Sequence, residues 1–174
     1  FNRRTGVSEF SIPAGLSDLD AMKGINLFFE KVIAIPCWMS FRSAITRDAL
    51  NWLGGQGEAQ SGCEPLPVRD CSKVRRVIIQ SLAKGTLEGD RETQERALDS
   101  HGLVFSHPID LAIAGGLHAC KFHGPSLFVD RDVRCSYQGI TLYIDWQGLK
   151  VRFNVPDSHK KRLAAAGTSV SVAV

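Results

Sequence analysis

The sequence predicts an α+β fold, with helices before Gly102 and strands after it. Three observations predict it. Apolar residues recur at spacings of three and four through residues 17–53 and 72–84. Beyond Gly102 the apolar period shortens to that of strands, with turn signals between the runs. Helical and strand patterns are segregated, whereas βαβ units require them to alternate.

Residues 1–15 read as a loose lead-in. Ser17 offers an N-cap, with Asp20 three residues on as in a capping box, and Leu19, Met22, Ile25, Phe29 and Ile33 continue a helix over 17–33. Pro36 restarts the chain for a second helix over 37–53, closed by Gly54-Gly55. Residues 54–71, rich in Gly, Pro, Glu and Ser, form a long loop. Val74, Val77, Ile78 and Leu82 predict a helix over 72–84, and residues 90–100 a polar helix that packs through Ala97 and Leu98. Strands are expected at 103–106, 117–122, 127–130, 140–145, 149–154 and 169–174. Gly124-Pro125 and Gln147-Gly148 mark turns, and residues 145–149 close a tight hairpin.

The chain of 174 residues suits one domain, 1–174. Its 44% hydrophobic and 22% charged content argues against disorder. The longest apolar runs, 32–36 and 111–117, fall far short of the roughly 20 residues of a spanning helix, so a soluble chain without a membrane span is expected. Residues 1–15 hold no continuous apolar stretch of the signal-peptide kind. The net charge of +3 is mild, and five of the 21 basic residues lie in 150–162. Nucleic-acid binders show a denser basic face, so no nucleic-acid partner is expected. No motif calls for a cofactor. The five cysteines leave at least one thiol unpaired within the chain, and Cys63 and Cys71 flank a Pro-rich loop where an oxidising compartment allows pairing.

The strongest chemical signal is Cys37. Trp38, Phe41, Ile45, Ala49 and Trp52 form one apolar stripe of the expected second helix, and Cys37 stands at its first position after Pro36. The unpaired amides and positive dipole end there favour thiolate over thiol, the reactive form of a cysteine nucleophile. The competing reading is a packed cysteine beside an apolar stripe.

A thiolate enzyme needs an oriented imidazole. His101, His107 and His159 read as solvated, and His123 falls at a turn. His118 stands inside an apolar run. If 117–122 and 127–132 pair across Gly124-Pro125, His118 faces residues 130–132, and opposed side chains lie about 5 Å apart. Asp130 is the expected orienting acid, with Asp132 the close runner-up and Asp145 a third choice. The competing reading is a core histidine satisfied by a structural carboxylate.

The segments Pro36-Cys37-Trp38-Met39-Ser40, His118-Ala119 and Phe128-Val129-Asp130 resemble papain-like cysteine proteases, nearest to the YopT/AvrPphB group of secreted bacterial effectors. The resemblance implies a papain-like fold with N-terminal helices packed on a C-terminal antiparallel sheet, and a triad of Cys37, His118 and Asp130. It also implies secretion into a host cell and a host protein as substrate, by hydrolysis, deamidation or acyl transfer. The family's amide donor before the cysteine has no counterpart in 28–36, and Asn26 is the nearest candidate.

Two other readings compete. His118, Cys120, His123 and Cys135 make a Cys₂His₂ set for zinc, with His118 and Cys120 on one face of the expected strand. A non-enzymatic module that binds partner proteins by strand addition is the other, with 169–174 either its edge strand or a strand paired inside the sheet.

Overall fold

Ser17 caps the first helix as its sequence foretells. Its Oγ accepts from the Asp20 amide at 3.1 Å and donates to the Asp20 carboxylate at 2.7 Å. The computed structural model describes residues 7–32, 43–57, 63–80, 89–122, 131–137, 139–145, 147–153, 164–165 and 167–169. The elements in order are β1 (Val7–Ile12), α1 (Asp18–Val32), α2 (Arg47–Leu53), β2 (Arg75–Gln80), α3 (Arg91–Asp99) and β3 (Leu103–Phe105). They are followed by α4 (Pro108–Phe122), β4 (Val133–Arg134), β5 (Ile140–Asp145), β6 (Gly148–Phe153), β7 (Ala164–Ala165) and β8 (Gly167–Ser169).

The class is α+β, but helices and strands are not segregated along the chain. Among the described residues one four-stranded sheet runs β1-β2-β8-β3, all antiparallel, so it joins the two ends of the described chain. A second runs β6-β5-β4-β7, antiparallel except for the β4–β7 pair. The main core gathers Met22, Ile25 and Phe29 of α1, Trp52 and Leu53 of α2, Val77 and Ile79 of β2, Leu111 of α4 and Leu142 and Ile144 of β5. Leu98, Leu103 and Phe105 form a smaller cluster beneath α3.

Several expectations change. The lead-in contains β1, which pairs along its whole length with β2. The helix expected over 72–84 is strand β2, in which Val77 and Ile79 are buried and Ile78 is only half-buried. Val and Ile carry strand preference as readily as they mark a helical stripe.

Of the helix expected over 37–53, residues 37–42 lie outside the described residues, 43–46 are not helical, and α2 begins at Arg47 with Thr46 as its N-cap in an extended conformation (φ −66°, ψ 156°). Residues 44–46 serve the second sheet instead. Leu149 donates its N–H to the Ala44 carbonyl, Thr46 donates to the Leu149 carbonyl, and Ile45 bridges Leu149 in parallel. A backbone pledged to strand hydrogen bonds cannot close helical ones.

The strand expected over 117–122 is the end of helix α4. Pro108 begins that helix and Asp110 stands in its first turn. Its small residues admit close packing: a Cβ on Gly116 would lie 2.8 Å from Ile25 Cγ2, and one on Gly115 3.1 Å from Leu149 Cδ1.

The hairpin at 145–149 forms as expected. Asp145 pairs with Gly148, whose φ of +117° suits glycine, and β5 and β6 run antiparallel from there. The polar helix expected over 90–100 is α3, capped by Asp90, which accepts from Thr93 N–H at 2.7 Å. The turn at Gly124-Pro125, the strand at 127–130 and most of 169–174 lie outside the described residues. No helix among the described residues is long and apolar enough to cross a membrane.

Candidate functional site

α1 and α4 lie side by side and run in the same direction. At their N-terminal ends Arg69, from the long loop, binds Asp18 of α1 (2.8 and 3.2 Å) and Asp110 of α4 (2.6 and 3.1 Å). Farther along, Gly116 packs on Ile25, and the Cys120 thiol lies 3.7 Å from the Ile25 carbonyl.

Toward their C-terminal ends the two helices and strand β1 enclose a cavity of about 400 Å³. Ala114, Leu117, His118 and Lys121 recur at spacings of three and four and form the α4 wall. Phe28 comes from α1, and Ser8, Glu9 and Phe10 from β1. His118 is 4% exposed, and its ring stands 4.5 Å from that of Phe122. Phe28 and Leu117 are 49% and 39% exposed. Exposed apolar side chains gathered around a cavity are the usual mark of a binding surface.

The residues singled out in the sequence are brought together only in part. Cys37 and Asp130 lie outside the described residues, as does His123. His118 stands on helix α4, so the expected strand 117–122, on which its pairing with 127–132 rested, is helix instead. Asp132 is buried and accepts instead from Thr141 Oγ1 (3.3 Å) and Arg152 Nη1 (3.4 Å). Asp145 is taken up by Lys150 at 2.8 Å and the Gln147 amide at 2.7 Å. Burial opposes its charge, but these bonds hold its carboxyl below the usual range.

Asn26, the nearest candidate for an oxyanion donor, is engaged by the backbone of Ile45. Its Nδ2 donates to the Ile45 carbonyl (2.8 Å), and its Oδ1 accepts from the Ile45 N–H (2.9 Å).

Of the proposed zinc set, His123 lies outside the described residues. His118 and Cys120 stand two residues apart on a helix, roughly 200° around its axis, not on one strand face. No group of three or more His, Cys, Asp or Glu among the described residues is placed to hold a metal. Burial raises the Cys120 thiol and pushes Cys135 up to about 11, so both stay protonated at neutral pH. Cys63 and Cys71 are free thiols here. Comparison with known protein families, curated proteins and solved structures finds no match for this chain.

The other dense cluster of charge sits at the opposite end of the helix pair. Asp18 accepts from both Arg69 and Arg75. Burial opposes its charge, but the two guanidinium bonds outweigh it and hold the carboxyl below its usual range. His107 lies beside them, with Nδ1 accepting from the Ile109 N–H at 3.3 Å, so the imidazole caps α4. Burial, reinforced by Arg69, pushes its pKa down to about 4. Two carboxylates face two guanidiniums here, an internally balanced arrangement that ties the helix starts to the loop.

Sequence reasoning missed the β1 wall of the cavity because residues 1–15 carry too short an alternation, and it missed the exposure of Phe28 because α1 reads as apolar on more than one side.

Proposed function

We propose that this chain is a protein-binding α+β module that takes an extended segment of a partner along β1, with an apolar side chain of that segment lodged in the His118 cavity. One observation carries the reading. The strand that lines the cavity is also a sheet edge: among the described residues β1 pairs only with β2. A strand edge offers backbone hydrogen bonds and a neighbouring pocket supplies side-chain selectivity, the two parts of recognition by strand addition. The exposed Phe28 and Leu117 beside it add apolar area.

Selection of a random peptide library on the protein tests this. Enriched peptides should share one large apolar residue within a strand-forming stretch. N-methylation of alternate backbone amides should weaken them by about tenfold or more, the worth of roughly 1.4 kcal/mol. Unchanged binding by Phe28→Asp and Leu117→Asp would rule the surface out.

A second reading keeps the cysteine chemistry: a papain-like thiol hydrolase, deamidase or acyltransferase delivered to a host protein, with Cys37 as nucleophile, His118 as base and Asp130 as orienting acid. One observation favours it. His118 stands four residues from the end of α4, and the chain enters 33–42 and 123–130 from that same end of the parallel pair. Cys37 follows Val32 by five residues and Asp130 follows Phe122 by eight, so full extension reaches about 17 Å and about 28 Å. Brief iodoacetamide treatment separates the readings. Preferential labelling of Cys37, suppressed by His118→Ala in a folded variant, supports the enzyme; equal labelling in both removes it.

A further inference from the structure

The geometry points to a second ligand site, a cavity between α2 and β6 that takes a neutral, hydroxyl-rich small molecule of saccharide type. We propose it on three observations. The cavity has a volume of about 610 Å³ and shares no lining residue with the His118 cavity. That size falls within the range of small-molecule sites.

The second observation is its polar complement. Asp48, Asn51 and Gln56 line the cavity from α2 and the turn after it, all three exposed. No hydrogen bond or ion pair within the described residues engages their side chains. Amide groups both donate and accept, as hydroxyl groups do, so they fit a ligand with several hydroxyls. Charge excludes the ionic alternatives. The lining cation, Lys150, is already neutralised by Asp145 at 2.8 Å and bonded to Gln147, so among the described residues no free positive charge lines the cavity for a phosphate or carboxylate. Asp48 alone is too small a complement for a cation.

The third observation is the apolar floor. Trp52 is 3% exposed, with Phe153 5.2 Å away and edge-on to it, and both line the cavity. A pyranose presents C–H faces to such a wall and hydroxyls to the rim. The Trp52 pyrrole edge lies under Gly57, another lining residue, where an added Cβ would stand 3.1 Å from Cδ1. Its Nε1–H is buried and has no acceptor among the described residues, an unmet donor next to the cavity.

Titration of the ¹⁵N-labelled protein with glucose, maltose and N-acetylglucosamine, each against glucose 6-phosphate, tests the proposal. The indole signal of Trp52, assigned by its loss in Trp52→Phe, is the reporter. A saturable shift with at least one neutral sugar is expected, and the phosphorylated sugar should bind more weakly. Asn51→Ala and Gln56→Ala, both exposed, should weaken that sugar about fivefold or more while thermal melting stays unchanged. The proposal is overturned by the absence of a saturable shift with all three neutral sugars. Tighter binding of glucose 6-phosphate, or full affinity in both alanine variants, overturns it equally.

Discussion

Asn26 and Ile45 are joined by a pair of hydrogen bonds in which one side-chain amide satisfies both backbone groups of the other residue. Nδ2 donates to the Ile45 carbonyl at 2.8 Å and Oδ1 accepts from its N–H at 2.9 Å. Ile45 is fully buried, so its backbone has no water to turn to. Asn26→Ala should therefore lower stability by about 2–3 kcal/mol. Asn26→Asp keeps the acceptor but loses the donor and should recover only part. Urea unfolding with an unchanged slope measures both, and a loss under about 0.5 kcal/mol for the alanine variant would show that the latch is dispensable.

Arg69 holds the starts of α1 and α4 together through Asp18 and Asp110, whose side chains are 9% and 11% exposed. Removing the guanidinium leaves the partly buried Asp110 without its ion partner and Asp18 with Arg75 alone. Arg69→Met should cost about 3–5 kcal/mol. Arg69→Lys should recover little, because one ammonium cannot span two carboxylates as a planar fork does. Thermal melting of the two variants side by side checks this, and near-native stability of the lysine variant would overturn the bridging role.

His107 should make the fold sensitive to mild acid. Its folded pKa of about 4 lies below the ordinary 6.5, so the unfolded chain binds the extra proton between those values. Stability from this group is fully present above about pH 6.5 and is lost as pH falls toward 4. The charges facing it are Arg69, Asp110, Asp18 and Arg75. Protonation also removes the Nδ1 acceptor for Ile109 N–H. The loss should be on the order of 1–2 kcal/mol after solvent screening. His107→Asn preserves a cap without a titrating ring, so its stability should change less from pH 7 to 5 than that of the wild type. Parallel pH profiles in both would refute the assignment.

Gly148 turns β5 into β6 with φ of +117°, and a Cβ there would drive into the Ser43 carbonyl oxygen. Strain and clash act together, so Gly148→Ala should destabilise by about 2–4 kcal/mol. By contrast Gly24→Ala on α1, where no atom lies within 4 Å of an added Cβ, should stabilise by about 0.5–1 kcal/mol. Chemical denaturation of the pair provides an internal control, and the same sign of change in both would contradict this account.

Cys135 is fully buried and its thiol pushed up to about 11, whereas Cys63 and Cys71 are only half-buried, Cys63 at the margin of the main core. Cys135 should resist alkylation at pH 7.5 in the native protein and react only on unfolding. Labelling as fast as that of Cys63 or Cys71 would show that the second sheet opens readily.

By itself the sequence determined the features whose causes are local. The capping box of Ser17 and Asp20, the amphipathic run of α1, the polar helix α3 and the tight turn at Gly148 each arise within a few residues, and each stands where its pattern puts it. The α+β class follows from the same local signals. Only the tertiary structure decided where a segment's backbone hydrogen bonds go. Val77 and Ile79 suit a helical stripe or a strand face equally, and pairing with β1 made them strand. Residues 44–46 lie in a helical apolar period, but Leu149 and Asn26 claimed their backbone for extended structure. The run around His118 suits a buried strand, yet its glycines and alanines let it lie as a helix against α1. The His118 cavity belongs to this second kind: its walls come from β1, α1 and α4, and no spacing in one segment announces a contact made by three.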